Sequence, residues 1–366
     1  MQEPAVSFVI PCYKLAHLLR ECVDSILCQS YKNFEVLVMD DCSPDNTAEV
    51  ARSFQDARVR YIRNDPNLGH LRNYNKGIGL SRGRYVWLIS ADDYLRKPYV
   101  LEKYVDVLER HPNVGYAFCP GFGVRDGVET RLLGCYRARA DHDRIIAGHV
   151  LLKKLLQSNF ILTPSVIVRR ECYEKISLFE LSMPWVGDWY LWCLFALFYD
   201  VAYFADRMVC YREQHALSMT DVLHKAKLAA CATEEIEIPW LIRKRAQEAG
   251  YTRVAKACLS AVAHTYARTL ASERYRGSGS FMNLEQFEES LSRNTSDETE
   301  RDHVRARVYD GIGSQCYWRG ELTLAREFYQ AALEKDPWMV SAYIKKLLLG
   351  LGKQGDYLRE AITSFR

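Results

Sequence analysis

Acidic side chains stand in pairs where a chain ordinarily places apolar ones. Asp92 and Asp93 follow the strand-forming run in "RYVWLISADDYL", Asp40 and Asp41 end "FEVLVMDDCS", and Asp188 opens the aromatic stretch "GDWYLW". A carboxylate at the end of a buried strand is costly unless something cationic lies beside it. A Mg²⁺ or Mn²⁺ ion held by one or two carboxylates, with diphosphate oxygens in other positions, would offset both charges. A lone Asp before a polar-apolar stretch is more often a helix N-cap. Two adjacent acids, matched by a second pair on another strand end, favour the metal and nucleotide reading.

The elements that must position these acids follow from periodicity. Strands are expected at Val6 to Ile10, Glu35 to Met39, Val59 to Ile62, Tyr85 to Ile89 and Val114 to Phe118. Helices are expected between them, at Ala16 to Gln29, Thr47 to Phe54, Leu71 to Ser81 and Pro98 to Arg110. Such alternation of short β-branched runs with amphipathic segments builds βα units on a mostly parallel sheet. Ligands of open α/β sheets bind beyond the carboxyl ends of the strands, so the acids converge on one crevice. No GxxxxGK[ST] loop is present, and the first strand continues "FVIPCYKLAH" without GxGxxG, which disfavours the usual P-loop and dinucleotide sites. "GIGLSRG" precedes a strand and is wrongly placed for a dinucleotide turn.

Two domains are expected, 1–220 of α/β type and 221–366 helical. Past Tyr211 the β signals fade, and "RGSGS" and "SRNTSDETERD" mark loops among the helices. Near residues 307–340, Gly313, Gly320, Ala325, Tyr329, Ala332 and Pro337 fall at tetratricopeptide spacing. One such unit serves equally as a helical hairpin packed on the main domain or as a surface for a homodimer or protein partner.

The 366 residues are 48% apolar and 26% charged, as in globular proteins, and the formal net charge is only +3. Without a basic stripe, nucleic acid is excluded as a partner class. None of the twelve cysteines forms a CxxC pair, which points to reduced, buried thiols rather than a zinc site or disulfide framework. "MQEPAVSFVI" lacks the pattern of a secretory leader, and the longest apolar run, Trp189 to Tyr199, is too short to span a bilayer. A cytoplasmic location is the expectation.

Taken in order, five segments carry a family likeness: "SFVIPCYK", "SILCQSYKNFEVLVMDDCSPDNT", "NLGHLRNYNKGIGLSRGRYVWLISADDYL", "GDWYLW" and "VCYREQHALSMT". Over about residues 5 to 220 the chain resembles an inverting family-2 glycosyltransferase of the GT-A fold, a Rossmann-like α/β domain. The resemblance implies that Pro11 and Tyr13 border the nucleotide base. It implies that Asp41 accepts the imide N–H of a uracil or thymine, while Asp40 and Ser43 shape that loop. Asn67, Gly69 and Asn75 would belong to the segment closing over the nucleotide. Asp92 would touch the ribose or help hold the ion, and Asp93 would ligate the metal. Asp188 would be the general base, with Arg212 and His215 near the diphosphate and His215 a further candidate for the metal. The donor implied is a nucleotide-sugar and the acceptor a glycan or lipid-linked saccharide, in surface polysaccharide or glycoconjugate synthesis. Such enzymes often work at the inner face of the membrane, which implies peripheral membrane association.

Departures from the family pattern fall at three positions. Lys14 replaces the usual Asn, Ser90 the acid two places before the pair, and Tyr74 an Arg just before Asn75. Trp185 and Trp189 flank Asp188 and would stack on an acceptor sugar, although the helical spacing of Trp192, Phe195 and Tyr199 is more often core. The competing function is an inactive nucleotide-binding scaffold that recruits partners through its helical end. Retention of Asp41, Asp92, Asp93 and Asp188 together speaks against it.

Overall fold

The computed structural model describes residues 3–134, 142–213, 228–271 and 283–350. The chain divides into two compact units, Met1–Ala226 and Lys227–Arg366.

In the first unit β1 (Val6–Cys12) leads through α1 (Ala16–Leu27) to β2 (Phe34–Asp40), then through α2 (Thr47–Arg52) to β3 (Val59–Arg63). Helix α3 (His70–Leu80) carries the chain back across the sheet to β4 (Tyr85–Leu88). The short β5 (Tyr94–Leu95), α4 (Val100–Arg110), β6 (Val114–Phe118), β7 (Gly121–Arg125), β8 (Val128–Leu133) and β9 (Arg144–Ile146) follow. Then come α5 (Gly148–Leu155), β10 (Ile167–Arg169), α6 (Arg170–Lys175), α7 (Gly187–Phe198), β11 (Asp200–Tyr203) and β12 (Val209–Arg212).

The main sheet runs β3-β2-β1-β4-β10-β6-β11-β9. Strands β1 and β2 are buried at every position, as a parallel sheet covered on both faces requires. From β1 the chain winds outward to β3 and then returns to β4 on the other side of β1, so the strand order reverses there. That reversal opens a crevice outside the carboxyl ends of β1 and β4. Register sets Cys12 beside Asp40, and the Asp41 and Ala91 amides donate to the carbonyls of Cys12 and Pro11. Both acidic pairs are thereby delivered to the same edge.

Two features lie beyond the alternating pattern. Strand β10 runs antiparallel between β4 and β6. A second sheet, β5-β12-β7-β8, pairs Cys210 with Tyr94 and so brings Arg212 against the segment after β4. Beneath the crevice, Phe8 and Trp87 stack at 5.4 Å and Trp87 meets Tyr104 at 4.7 Å, an aromatic floor shared by β1, β4 and α4.

The second unit contains α8 (Leu228–Glu248), α9 (Thr252–Ala271), α10 (Leu284–Asn294), α11 (Glu298–Trp318), α12 (Leu322–Lys335) and α13 (Val340–Gly350). Asn283 and Gln286 form a capping box at α10, and the Asp297 carboxylate caps α11. A Cβ at Gly313 would lie 2.8 Å from the Tyr329 ring, so α11 and α12 approach as closely as they do because that position is glycine. Ala325, Tyr329 and Ala332 are fully buried along their contact. No helix among the described residues is long and apolar enough to cross a membrane.

Candidate functional site

Asp40 and Asp41 end β2 fully committed to protein donors. Asp40 accepts the Ser43 amide at 2.8 Å, the Tyr61 hydroxyl at 2.6 Å and the Arg63 guanidinium at 2.9 Å. Asp41 accepts Asn64 Nδ2 at 2.9 Å, the Leu68 amide at 2.8 Å and the Gly69 amide at 2.9 Å. Asn67 Nδ2 donates to the Asp41 carbonyl, and its own Oδ1 accepts the Gly69 amide. Ser43 Oγ accepts the Lys14 amide, and Asp45 accepts that of Ala16. The loops after β1 and β2 and the segment 64–69 are therefore one hydrogen-bonded assembly. Pro11 is buried within it and Tyr13 is exposed at its rim, with Lys14 Nζ 5.0 Å from the Tyr13 ring.

Asp93 is placed differently. Its side chain is buried, and it accepts a backbone N–H from Arg212 at 2.9 Å. Burial, and then the neighbouring Asp92 charge, push its carboxyl well above the usual carboxylate range. Arg212 Nε donates to the Asp92 carbonyl at 3.0 Å, while its other end pairs with Glu21 at 2.6 Å. The guanidinium thus braces the corner from the side, through a carbonyl and an outlying glutamate, and its charge offsets only part of the cost of ionising Asp93. A divalent ion would supply the missing charge. No group of three or more His, Cys, Asp and Glu side chains forms a closed metal cage among the described residues. Two adjacent carboxylates, Asp92 and Asp93, suit an ion whose remaining positions are filled by ligand oxygens.

Asp188 lies in the first turn of α7, where the helix dipole favours an acid. It accepts the Thr163 hydroxyl at 2.7 Å and the Trp189 amide at 2.6 Å. Burial raises its pKa, against the lowering effect of hydrogen bonds from Thr163, Trp189 and Asn159. Tyr74 joins this acid to the others: its phenol is pushed upward by burial first, then by Asp92, Asp188 and Asp93. Acids from two remote stretches of chain thus act on one side chain.

The structure brings Asp92, Asp93, Asp188 and Arg212 toward the crevice. It does not bring two others there. Trp189 is 5% exposed and its indole N–H donates to the Leu155 carbonyl at 2.6 Å, because α7 is buried on nearly every side. Asn75 uses its whole amide on Phe179, donating to that carbonyl and accepting that amide, both at 2.9 Å. Trp185 is half-buried, and His215 lies outside the described residues. Sequence reasoning missed Asn64, which donates to both Asp41 and Asn73 and accepts from Lys76, and Thr163, which holds Asp188.

Residues 7–176 match the model of glycosyl transferase family 2. An uncharacterized glycosyltransferase of Rickettsia typhi is 28% identical over 65% of this chain and 70% of its own length. One of Rickettsia prowazekii is 30% identical over 60% and 66%. The glycosyltransferase GlyG of Streptococcus pneumoniae is 34% identical over 30% of this chain, which spans 37% of that protein. Among solved structures, residues 1–349 of TarS from S. aureus superpose with a TM-score of 0.58 at 15% identity, covering 95% of this chain and 92% of that one. The same TarS fragment in complex with UDP-GlcNAc gives 0.56 at 16% identity. That likeness extends over a GT-A domain and the helical region that follows it. Together with the acids at the carboxyl edge of the sheet, these matches identify residues 7–176 as a glycosyl transferase family 2 domain.

Proposed function

We propose that the chain transfers one sugar, with inversion, from a nucleotide diphosphate sugar to a hydroxyl of a glycan or lipid-linked acceptor. The observation that carries this reading is the convergence of charge: Asp92, Asp188 and Asp93, from two remote stretches of chain, all act on the Tyr74 phenol. UDP is the favoured nucleotide, and the TarS complex with UDP supports trying it first. A Mg²⁺ or Mn²⁺ ion held by Asp92 and Asp93 would stabilise negative charge on the departing diphosphate.

The chain's own groups account for the remainder. Asp188 takes the proton of the acceptor hydroxyl as that oxygen bonds to the anomeric carbon. The bond from that carbon to the diphosphate oxygen breaks on the opposite face, and its electron pair leaves with the nucleotide. A carboxylate whose pKa burial has raised is a stronger base, which suits this role. Thr163 and the Trp189 amide orient it. Arg212 fixes the Asp92–Asp93 turn. Residues 1–220 form the catalytic domain in this scheme, and the helical region positions it against an acceptor or a second copy.

Calorimetric titration of UDP with Mn²⁺, with EDTA, and into Asp93→Ala tests the donor site. Release of UDP from UDP-sugars, with Asp188→Asn as control, tests the chemistry. Metal-dependent binding that collapses in Asp93→Ala is expected. Failure of UDP, dTDP and GDP to bind under every condition would remove the reading.

A further inference from the structure

Tyr74 is the side chain for which the proposed reaction has so far offered no use. It projects from α3 one turn after His70, and its ring is gripped edge-on by two others. His70 meets it at 5.6 Å and 72°, and Phe179 at 5.4 Å and 72°. Both walls are themselves tied down: Asn75 holds the Phe179 backbone from two sides, and His70 Nε2 lies 3.1 Å from the Pro184 carbonyl oxygen. The ring therefore has little rotational freedom, and its hydroxyl is aimed by the fold rather than by chance.

That hydroxyl makes no hydrogen bond to a protein group among the described residues, although the charges of Asp92, Asp188 and Asp93 all act on it. A phenol among acids stays protonated, so at neutral pH it offers a donor as well as an acceptor. A donor close to Asp92, Asp93 and Asp188 but bonded to none is placed for an oxygen that arrives between them. In the proposed transfer that place belongs to the transferred sugar. Its anomeric carbon must have the diphosphate on the Asp93 side and the incoming hydroxyl on the Asp188 side.

We infer that Tyr74 is a specificity-determining residue whose hydroxyl donates a hydrogen bond to an oxygen substituent of the transferred sugar, not to the nucleotide. The inference rests on the nucleotide-sugar reading above and deepens it. Tyr74 discriminates among donors by what the sugar ring presents to a fixed donor. A site built to hydrogen-bond an oxygen disfavours a sugar that lacks it, because the protein group is then left unpaired.

The test compares wild type with Tyr74→Phe, which keeps the ring and both aromatic contacts. Affinities for UDP and for UDP-glucose, UDP-galactose and UDP-N-acetylglucosamine are measured calorimetrically with Mn²⁺. Expected is an unchanged UDP affinity, with the ratio of UDP-hexose to UDP affinity falling about three- to tenfold for at least one hexose. Phe179→Leu, which keeps the hydroxyl but removes one wall, should lower the same ratio by a smaller factor. It should add nothing in the Tyr74→Phe background. A ratio unchanged for all three hexoses overturns the inference, as does an equal loss for UDP, which would assign the hydroxyl to the nucleotide. If wild type binds none of UDP, dTDP and GDP under any condition, the nucleotide-sugar reading itself has failed and this inference falls with it; if it binds dTDP or GDP but not UDP, the same ratios are read with that nucleotide and its hexose derivatives.

Discussion

The Asp40–Asp41 and Asp92–Asp93 pairs flank the same central strand, ending β2 and following β4, and look alike as sequence. Their surroundings differ. Asp40 and Asp41 each accept three protein donors, including the Arg63 guanidinium, and hold three loops together. Asp93 is as deeply buried, yet the donor it receives is a backbone N–H, and its charged form is disfavoured. One pair is a finished piece of architecture. The other carries an electrostatic penalty that a proton or a cation from outside would relieve. Identical residue pairs thus differ in what the neighbouring chain donates to them.

Asp188→Asn should lower turnover by about 10² to 10⁴-fold with UDP affinity intact, since only the proton acceptor is removed. Its wild-type acid limb should lie above the ordinary Asp value of about 3.9, because the raised pKa means the base is lost at a higher pH as pH falls. A turnover profile from pH 4 to 8 reads this, and a flat profile would remove Asp188 as base. Asp93→Asn should cost about a hundredfold in Mn²⁺-dependent UDP affinity while leaving the fold intact. Asp93 also has a stability signature. A carboxyl with a raised folded pKa binds its proton more tightly folded than unfolded, so stability falls as pH rises from about 3.9 through the raised value. Melting in EDTA should show this fall, Mn²⁺ should reverse it, and Asp93→Asn should abolish it. Asp41→Asn should behave oppositely, lowering stability by about 1–3 kcal/mol in urea unfolding with no change in the response to Mn²⁺. Equal metal sensitivity of the Asp41 and Asp93 variants would erase the contrast. The smallest effect is expected for Trp189→Phe, about 1 kcal/mol from the lost Leu155 contact, with acceptor kinetics unchanged.

Much of the first unit was legible because its strands are short, apolar and separated by amphipathic runs. The segments expected at Val59, Tyr85 and Val114 begin at those residues. The acids at strand ends were equally legible, since their position follows once the strands are known. Strand β10 was not: its three residues draw their strand character from β4 and β6, neighbours remote in sequence. The β7–β8 hairpin did carry a signal that went unread, the Asp126–Gly127 pair, whose residues turn at φ values of +51° and +76°. Asn64 and Thr163 had none. A buried amide or hydroxyl has no period, and its importance exists only through the carboxylate it meets. Trp189 and Asn75 were drawn toward the crevice by their place in the sequence, and tertiary partners, Leu155 and Phe179, took them elsewhere.

The Asn75–Phe179 pair spans 104 positions of sequence and has a practical consequence for anyone cutting the gene. The family match stops at residue 176, three residues before Phe179. A fragment ending there would lose the partner of Asn75, the ring wall of Tyr74, all of α7, and the strand β12 whose Arg212 braces Asp92. Recombination that swaps modules at the boundary of sequence similarity would therefore deliver half a folding unit. The smallest exchangeable piece runs at least to Arg212, where the chain has returned to the strand ends from which it set out.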